Sequence, residues 1–155
     1  MSTGRRTNEE TALAAEAWGA LLRVHAALVP ALDREMQAAH RLPLAWYDVL
    51  LELNSAPDRR LRMSDLGERV VLSRTRVSRL VDELAGAGLV EKVANSEDRR
   101  SAYAALTTKG HNIFRQAAPD YLRSISEHFG QALTRAELVT IRDALNSVLE
   151  HNHPA

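Results

Sequence analysis

The chain has 155 residues, is 45% hydrophobic, 26% charged and 5% aromatic, contains no cysteine, and sets 20 Lys+Arg against 20 Asp+Glu for zero formal charge. That length and charge content suit one globular domain with a real core and exclude a disordered body. The lack of cysteine excludes a disulfide scaffold, Cys-ligated zinc or iron–sulfur and thiol-based redox sensing.

Residues 1–10 are polar and are expected to fray. Their basic pair, Arg5-Arg6, is followed by no apolar h-region, which argues against secretion. No run approaches the roughly 20 apolar residues of a membrane span, so a cytoplasmic protein without membrane contact is expected. From Thr11 to about Ala39 the chain reads as a long helix, with Leu21, Val24, Leu28, Leu32 and Met36 on one stripe. Pro30 predicts a kink or break near Leu28–Val29. Pro43 suits a first helical turn, opening a second helix over Leu44 to Asn54, and Asn54-Ser55-Ala56-Pro57-Asp58 reads as a turn.

Three compact units follow. Met63 to Val70 is a short helix with Ser64 as its N-cap, and Ser73 caps another that Gly86 and Gly88 end. Two short strands, Leu89–Val93 and Ser101–Leu106, flank a polar hairpin tip from Ala94 to Arg100. In the second strand Tyr103 and Ala105 are expected to share the buried face. Thr107 or Thr108 caps a helix from Lys109 to about Phe129, with a bend or break at Pro119. A last helix starts at Thr134, where Glu137 completes a capping box, and carries Leu138, Ile141, Leu145 and Val148 on one stripe. The expected fold is mainly α with a small β-hairpin.

The helix Ser73–Leu84 is the most informative stretch. Val77, Leu80, Val81 and Leu84 form its apolar stripe, with Thr75, Arg79 and Asp82 opposite and Arg76 and Ser78 on the flanks. A helix presenting Arg, Ser and Thr near its N-terminus fits the major groove, where Arg can bond guanine bidentately. Arg74, beside the capping Ser73, is better placed for a phosphate. The hairpin tip Asp98-Arg99-Arg100 has the length of a finger for the minor groove, with Asp98 orienting Arg100. Taken singly, the helix could be a solvated basic face and the tip a charged turn. Together, helix–turn–helix plus basic hairpin make the winged-helix arrangement.

The run Met63-Ser64-Asp65-Leu66-Gly67-Glu68-Arg69-Val70, then Leu72 to Leu84, Gly88-Leu89-Val90-Glu91-Lys92, Glu97-Asp98-Arg99-Arg100-Ser101 and Leu106-Thr107-Thr108-Lys109-Gly110, resembles the MarR family of bacterial transcription regulators. The resemblance covers roughly residues 11–150. It implies one domain over 1–155, with a winged helix-turn-helix lobe at 44–108 flanked by dimerisation helices at 11–40 and 109–150. It also implies that Arg100 enters the minor groove, steadied by Asp98, and that Ser73, Arg74, Thr75, Arg76, Ser78 and Arg79 meet the major groove and phosphates, with Arg99 beside them in the wing.

The implied partners are double-stranded DNA and a second copy of the chain. The function implied is a repressor on an inverted repeat, whose half-sites lie about one helical turn apart. A small aromatic or phenolic acid is a further expectation, its candidate lining being Trp18, Arg23, His25, His40, Trp46 and Tyr47, which otherwise are ordinary core. No cofactor, metal site or enzyme is expected: no phosphate loop or activated nucleophile is visible, and His151 and His153 read as a frayed tail. The alternative is a ligand-independent winged-helix regulator or a protein-interaction module, which would more naturally present apolar anchors.

Zero net charge at first argues against a polyanionic partner. Residues 59–110, however, hold 11 Lys+Arg against 7 Asp+Glu, leaving +4 in that lobe and −4 elsewhere. DNA would meet the local field of the basic lobe, while the acidic remainder weakens indiscriminate binding.

Overall fold

The computed structural model describes residues 7–70 and 74–152, with the Arg74 side chain outside the description. Among the described residues, six α-helices and three strands run in the order α1 Asn8–His40, α2 Leu44–Ser55, β1 Arg60–Arg62, α3 Met63–Arg69, α4 Arg74–Gly86, β2 Val90–Ala94, β3 Ala102–Leu106, α5 Thr108–His128 and α6 Arg135–Asn152. The chain forms two compact units. One gathers the chain up to Arg34 with the chain from Ile125 on; the other is Glu35–Ser124.

Helix α1 begins inside the stretch expected to fray. Thr7 and Glu10 form a capping box, Thr7 N–H donating to Glu10 Oε2 at 3.0 Å and Glu10 N–H to Thr7 Oγ1 at 3.2 Å, which satisfies the free donors of the first turn. Pro30 does not break the helix. Proline removes one N–H, and the long turns on either side carry the helix through that single loss. By length and composition α1 could cross a membrane, with an 18-residue window of mean hydropathy 1.3. Scattered alanines raise that average, and the helix still holds no unbroken run of about 20 apolar residues.

In the second unit the sheet has three antiparallel strands, ordered β1-β3-β2, so the hairpin expected from the sequence gains an edge strand. Arg60-Leu61-Arg62 is too short and too charged to announce itself by alternation. Its one inward residue, Leu61, pairs with Ala104, and both are buried. The buried face of β3 is therefore that of Ala104, not the one carrying Tyr103 and Ala105, which are half-buried. A small residue there lets the sheet approach α2, and a strand's other side chains must then point away.

Because β1 runs straight into α3, Arg62 occupies the N-cap and Ser64 lies inside the helix, with no side-chain cap bond. Leu66 of α3, Val77, Val81 and Leu84 of α4, and Val49, Leu50 and Leu53 of α2 build the core with Leu61, Leu89 and Ala104. Tyr47 completes it, its ring centroid 5.3 Å from Phe114 and 4.6 Å from Tyr121.

Helix α4 ends in a Schellman turn. Leu89 N–H bonds Leu84 O and Gly88 N–H bonds Ala85 O, both at 3.0 Å, with Gly88 at φ 75°. Of the two possible caps for α5, Thr107 serves: its Oγ1 accepts Gly110 N–H at 3.0 Å and donates to Gly88 O at 2.7 Å. Gly110 sits where an added Cβ would lie 2.1 Å from Leu89 O, so wing and helix meet backbone to backbone. Helix α5 continues through Pro119 without the expected break.

In the first unit a 3-10 turn, Gly130–Ala132, leads to α6, which opens on the Thr134–Glu137 capping box. Hydrogen bonds from Thr134 hold the Glu137 carboxyl below its usual range. Helix α6 extends to Asn152, so His151 is helical rather than frayed, while His153 lies outside the described residues. No residue of α6 is buried within the chain; Val148 and Leu149 are 56% and 57% exposed, and Leu13 and Trp18 on α1 are 65% and 60% exposed.

Candidate nucleic-acid interface

The stripe of α4 positions its outer face. With Val77 and Val81 buried, Thr75, Arg76 and Arg79 are exposed and Ser78 is half-buried. Ser73 and the side chain of Arg74 lie outside the described residues. Two contacts hold the C-terminal half of α4. Trp46 Nε1–H donates to Glu83 Oε2 at 3.2 Å, and Asp82 pairs with Lys92 on β2. The C-terminal half of the helix is thus tied to α2 and to the sheet.

The wing tip is tied by its own side chains. Asn95, 6% exposed, accepts Glu97 N–H at 3.0 Å on Oδ1 and donates from Nδ2 to Ser101 Oγ at 2.8 Å. Asp98 Oδ1 accepts Arg100 N–H at 2.9 Å, and Asp98 O accepts Ser101 N–H at 3.1 Å. So Asp98 orients Arg100 by its main chain rather than by pairing with its guanidinium. Arg99 and Arg100 remain exposed. Asn95 was missed as a functional residue, although Asn two residues before Glu97 is an Asx-turn signal.

Helix and wing converge on a cleft of about 440 Å³ lined by Ser64, Val77, Ser78, Lys92, Arg100 and Ser101. Three hydroxyls and two cations in one groove are donors suited to phosphate oxygens. The outward face of the sheet adds Arg60, whose guanidinium lies 4.9 Å from the Tyr103 ring centroid, and Arg62, paired in register with Tyr103.

The candidate ligand residues divide. In the winged unit His40, Trp46 and Tyr47 face different partners. His40 Nε2 meets Asp120 Oδ2 at 2.7 Å, and Arg123 Nη2 meets Asp120 Oδ1 at 2.6 Å. His40 first, and Arg123 with it, hold the Asp120 carboxyl below its usual range. Trp46 is bound to Glu83, and Tyr47 lies in the core, where burial, with Tyr121 and Asp48 nearby, pushes its phenol up to about 12. In the helical unit Arg23 lines a cleft of about 380 Å³ with Val24, Leu28, His128, Phe129 and Leu133; Trp18 and His25 are exposed and do not line it.

Residues 41–101 match the family model described as the MarR family. The transcriptional repressor MprA of Escherichia coli (strain K12) is 34% identical over 70 residues, covering 45% of this chain and 40% of MprA, so the match spans less than half of that curated relative. Solved structures are similar over almost the whole chain. AbsC, a MarR family transcriptional regulator from Streptomyces coelicolor, has a TM-score of 0.81 at 30% identity, over 96% of this chain and 97% of its own. Sco3205, a MarR family regulator of the same organism solved in complex with DNA, has a TM-score of 0.84 at 27% identity, over 97% and 92%. These relatives are transcriptional regulators, not enzymes. With its winged helix, its basic outward face and near-complete similarity to AbsC, the chain belongs to the MarR family of transcriptional regulators.

Proposed function

We propose that the protein is a sequence-specific double-stranded DNA-binding repressor, acting in the cytoplasm as a homodimer on an inverted repeat. One observation carries this reading: Ser78 of α4 lines one cleft with Lys92 and the Asp98-anchored Arg100 of the wing, while Thr75, Arg76 and Arg79 of the same helix are exposed. A helix for the major groove beside a finger for the minor groove supplies both base and phosphate contacts. In this assignment Ser73, Arg74, Thr75, Arg76, Ser78, Arg79, Asp98, Arg99 and Arg100 serve DNA, and 44–108 is the reading lobe. A protein-docking wing would rather present apolar or aromatic anchors.

Homodimerisation is supported by the apolar surface that α1 and α6 leave uncovered within one chain. Two copies also meet the need for selectivity, since one mismatched base pair costs only about 1–3 kcal/mol. The helices at 11–40 and 109–150 are the proposed dimer elements. A small aromatic or phenolic acid is the proposed releasing ligand, and the apolar cleft lined by Arg23 supports it best, because a carboxylate needs a cation beside an apolar floor.

Fluorescence anisotropy with DNA from upstream of the protein's own coding sequence, at several salt concentrations, tests the main reading. Tight, salt-dependent and sequence-dependent binding is expected; a flat response across sequences overturns it. Arg79→Ala is expected to relax sequence preference, at a cost of about 1–3 kcal/mol on the preferred site. A thermal-shift panel of aromatic acids tests the ligand, and no shift with any of them leaves a ligand-independent regulator.

A further inference from the structure

Lys92 belongs to two arrangements at once. Its register partner on β3 is Ala104, which is buried, and residues paired across a sheet share a face, so Lys92 turns towards α4 rather than to the outward face of the sheet. There its ammonium pairs with Asp82 of α4. The same side chain lines the cleft of about 440 Å³ with Ser64, Ser78, Arg100 and Ser101. Lys92 is thus the second cation of that cleft, and a carboxylate of the reading helix already occupies its charge.

Helix α4 does not depend on this pair to stay in place. Val77, Val81 and Leu84 are buried on its inner side, and Glu83, next to Asp82, takes the Trp46 N–H. The Lys92 and Asp82 side chains are 41% and 61% exposed, and an ion pair so open to water is weak and easily exchanged. A DNA phosphate entering the cleft offers the same ammonium another anion, and the contact releases a counterion from the DNA. We propose that Lys92 is a phosphate-binding residue held in reserve: Asp82 occupies it in the free protein and yields it when a phosphate displaces the carboxylate. The inference rests on the DNA-binding reading and extends it to two residues outside that assignment. Asp82 is then a brake on binding, since the Lys92 contact forms only at the cost of the pair.

The test uses the full chain with two probes, DNA from upstream of its own coding sequence and inorganic polyphosphate, a polyanion without bases. Asp82→Asn keeps the size of the side chain and frees Lys92. It is expected to bind both probes about two- to fivefold more tightly, the scale of one exposed ion pair, and to steepen the salt dependence. Lys92→Gln is expected to weaken both and to lower the salt slope on DNA by about 1, while Lys92→Arg keeps most of the affinity. Asp82→Asn also relieves any direct repulsion between the carboxylate and phosphate, and a double-mutant cycle separates the two effects. The gain from Asp82→Asn is expected to be larger in the parent than in the Lys92→Gln background. A gain as large or larger in that background makes Asp82 a repelling charge alone and overturns the proposal. A loss of affinity in Asp82→Asn, the result of a purely structural tie, overturns it too. A parent that shows this pattern with polyphosphate but no preference among DNA sequences overturns only the DNA-binding reading, and a parent that binds neither probe overturns both.

Discussion

Asp98 holds Arg100 through the peptide: Oδ1 accepts the Arg100 N–H at 2.9 Å, and the guanidinium is left to the cleft it shares with Lys92, Ser78 and Ser101. A side chain that bends the backbone fixes where an arginine emerges without occupying its donors. Arginine then loses less freedom on entering a groove, and its planar fork stays available. Asp98→Ala is therefore expected to weaken operator binding about tenfold, the scale of one lost hydrogen bond to a charged group, while Asp98→Asn keeps it. Anisotropy on both variants checks this, and equal losses in the two would assign the effect to charge rather than to the turn.

Gly110 is where the wing rests on α5. A Cβ there would stand 2.1 Å from Leu89 O and 2.9 Å from Leu106 Cδ1, and the first neighbour is backbone that no rotamer can clear. Gly110→Ala is expected to destabilise the protein by about 3 kcal/mol or more, at the upper end of overpacking costs. Gly86, with nothing within 4 Å of its built Cβ, is the control: Gly86→Ala is expected to be neutral or to stabilise by up to about 1 kcal/mol. Urea unfolding of the pair measures the contrast.

The uncovered apolar face of α6 predicts self-association. Leu149→Glu, at a position 57% exposed in the single chain, is expected to shift the sedimenting mass from twice 17.2 kDa towards 17.2 kDa. Operator affinity should fall with it, since a lone winged helix reads only one half-site. A variant that stays dimeric, or a parent that sediments as a monomer, would falsify the use of this face. The same experiment addresses the membrane-length hydropathy of α1, because a helix covered by a partner copy needs no lipid.

Tyr47 makes stability pH-dependent at the alkaline end. Burial first, then Tyr121 and Asp48, raise its phenol from 10.0 to about 12. A group whose folded pKa lies above its unfolded value binds its proton more tightly when folded. Its contribution is thus complete below pH 10 and is lost as pH rises from 10 towards 12. Tyr47→Phe, which keeps the ring against Phe114 and Tyr121, is expected to flatten the fall in melting temperature over that window. At the acid end Asp120, held low chiefly by the His40 hydrogen bond, contributes above the usual carboxylate range and loses that contribution as pH falls through its lowered value.

Much of this architecture is written in neighbouring residues. The helices around the winged segment, the stripe of Val77, Val81 and Leu84, the Thr134–Glu137 box and the polar wing tip could be read directly, because caps and periodicity depend on residues a few positions apart. The Thr7–Glu10 box carried the same kind of signal and was obscured only by the polarity around it. What no local pattern held was anything requiring distant segments to meet. β1 exists because Leu61 finds Ala104, and that pairing reverses the faces of Tyr103 and Ala105. Tyr47 belongs to the core because α5 brings Phe114 and Tyr121 to it, and Trp46 belongs to α4 because Glu83 is there to accept its N–H. Residues 41–101 carry enough local signal to reveal a winged helix, whereas the place of Arg60 over the Tyr103 ring appears only once a three-residue strand is laid against the wing. Short-range hydrogen bonds and hydrophobic period specify which elements form; burial and pairing across the sheet decide which side of each element is left to act.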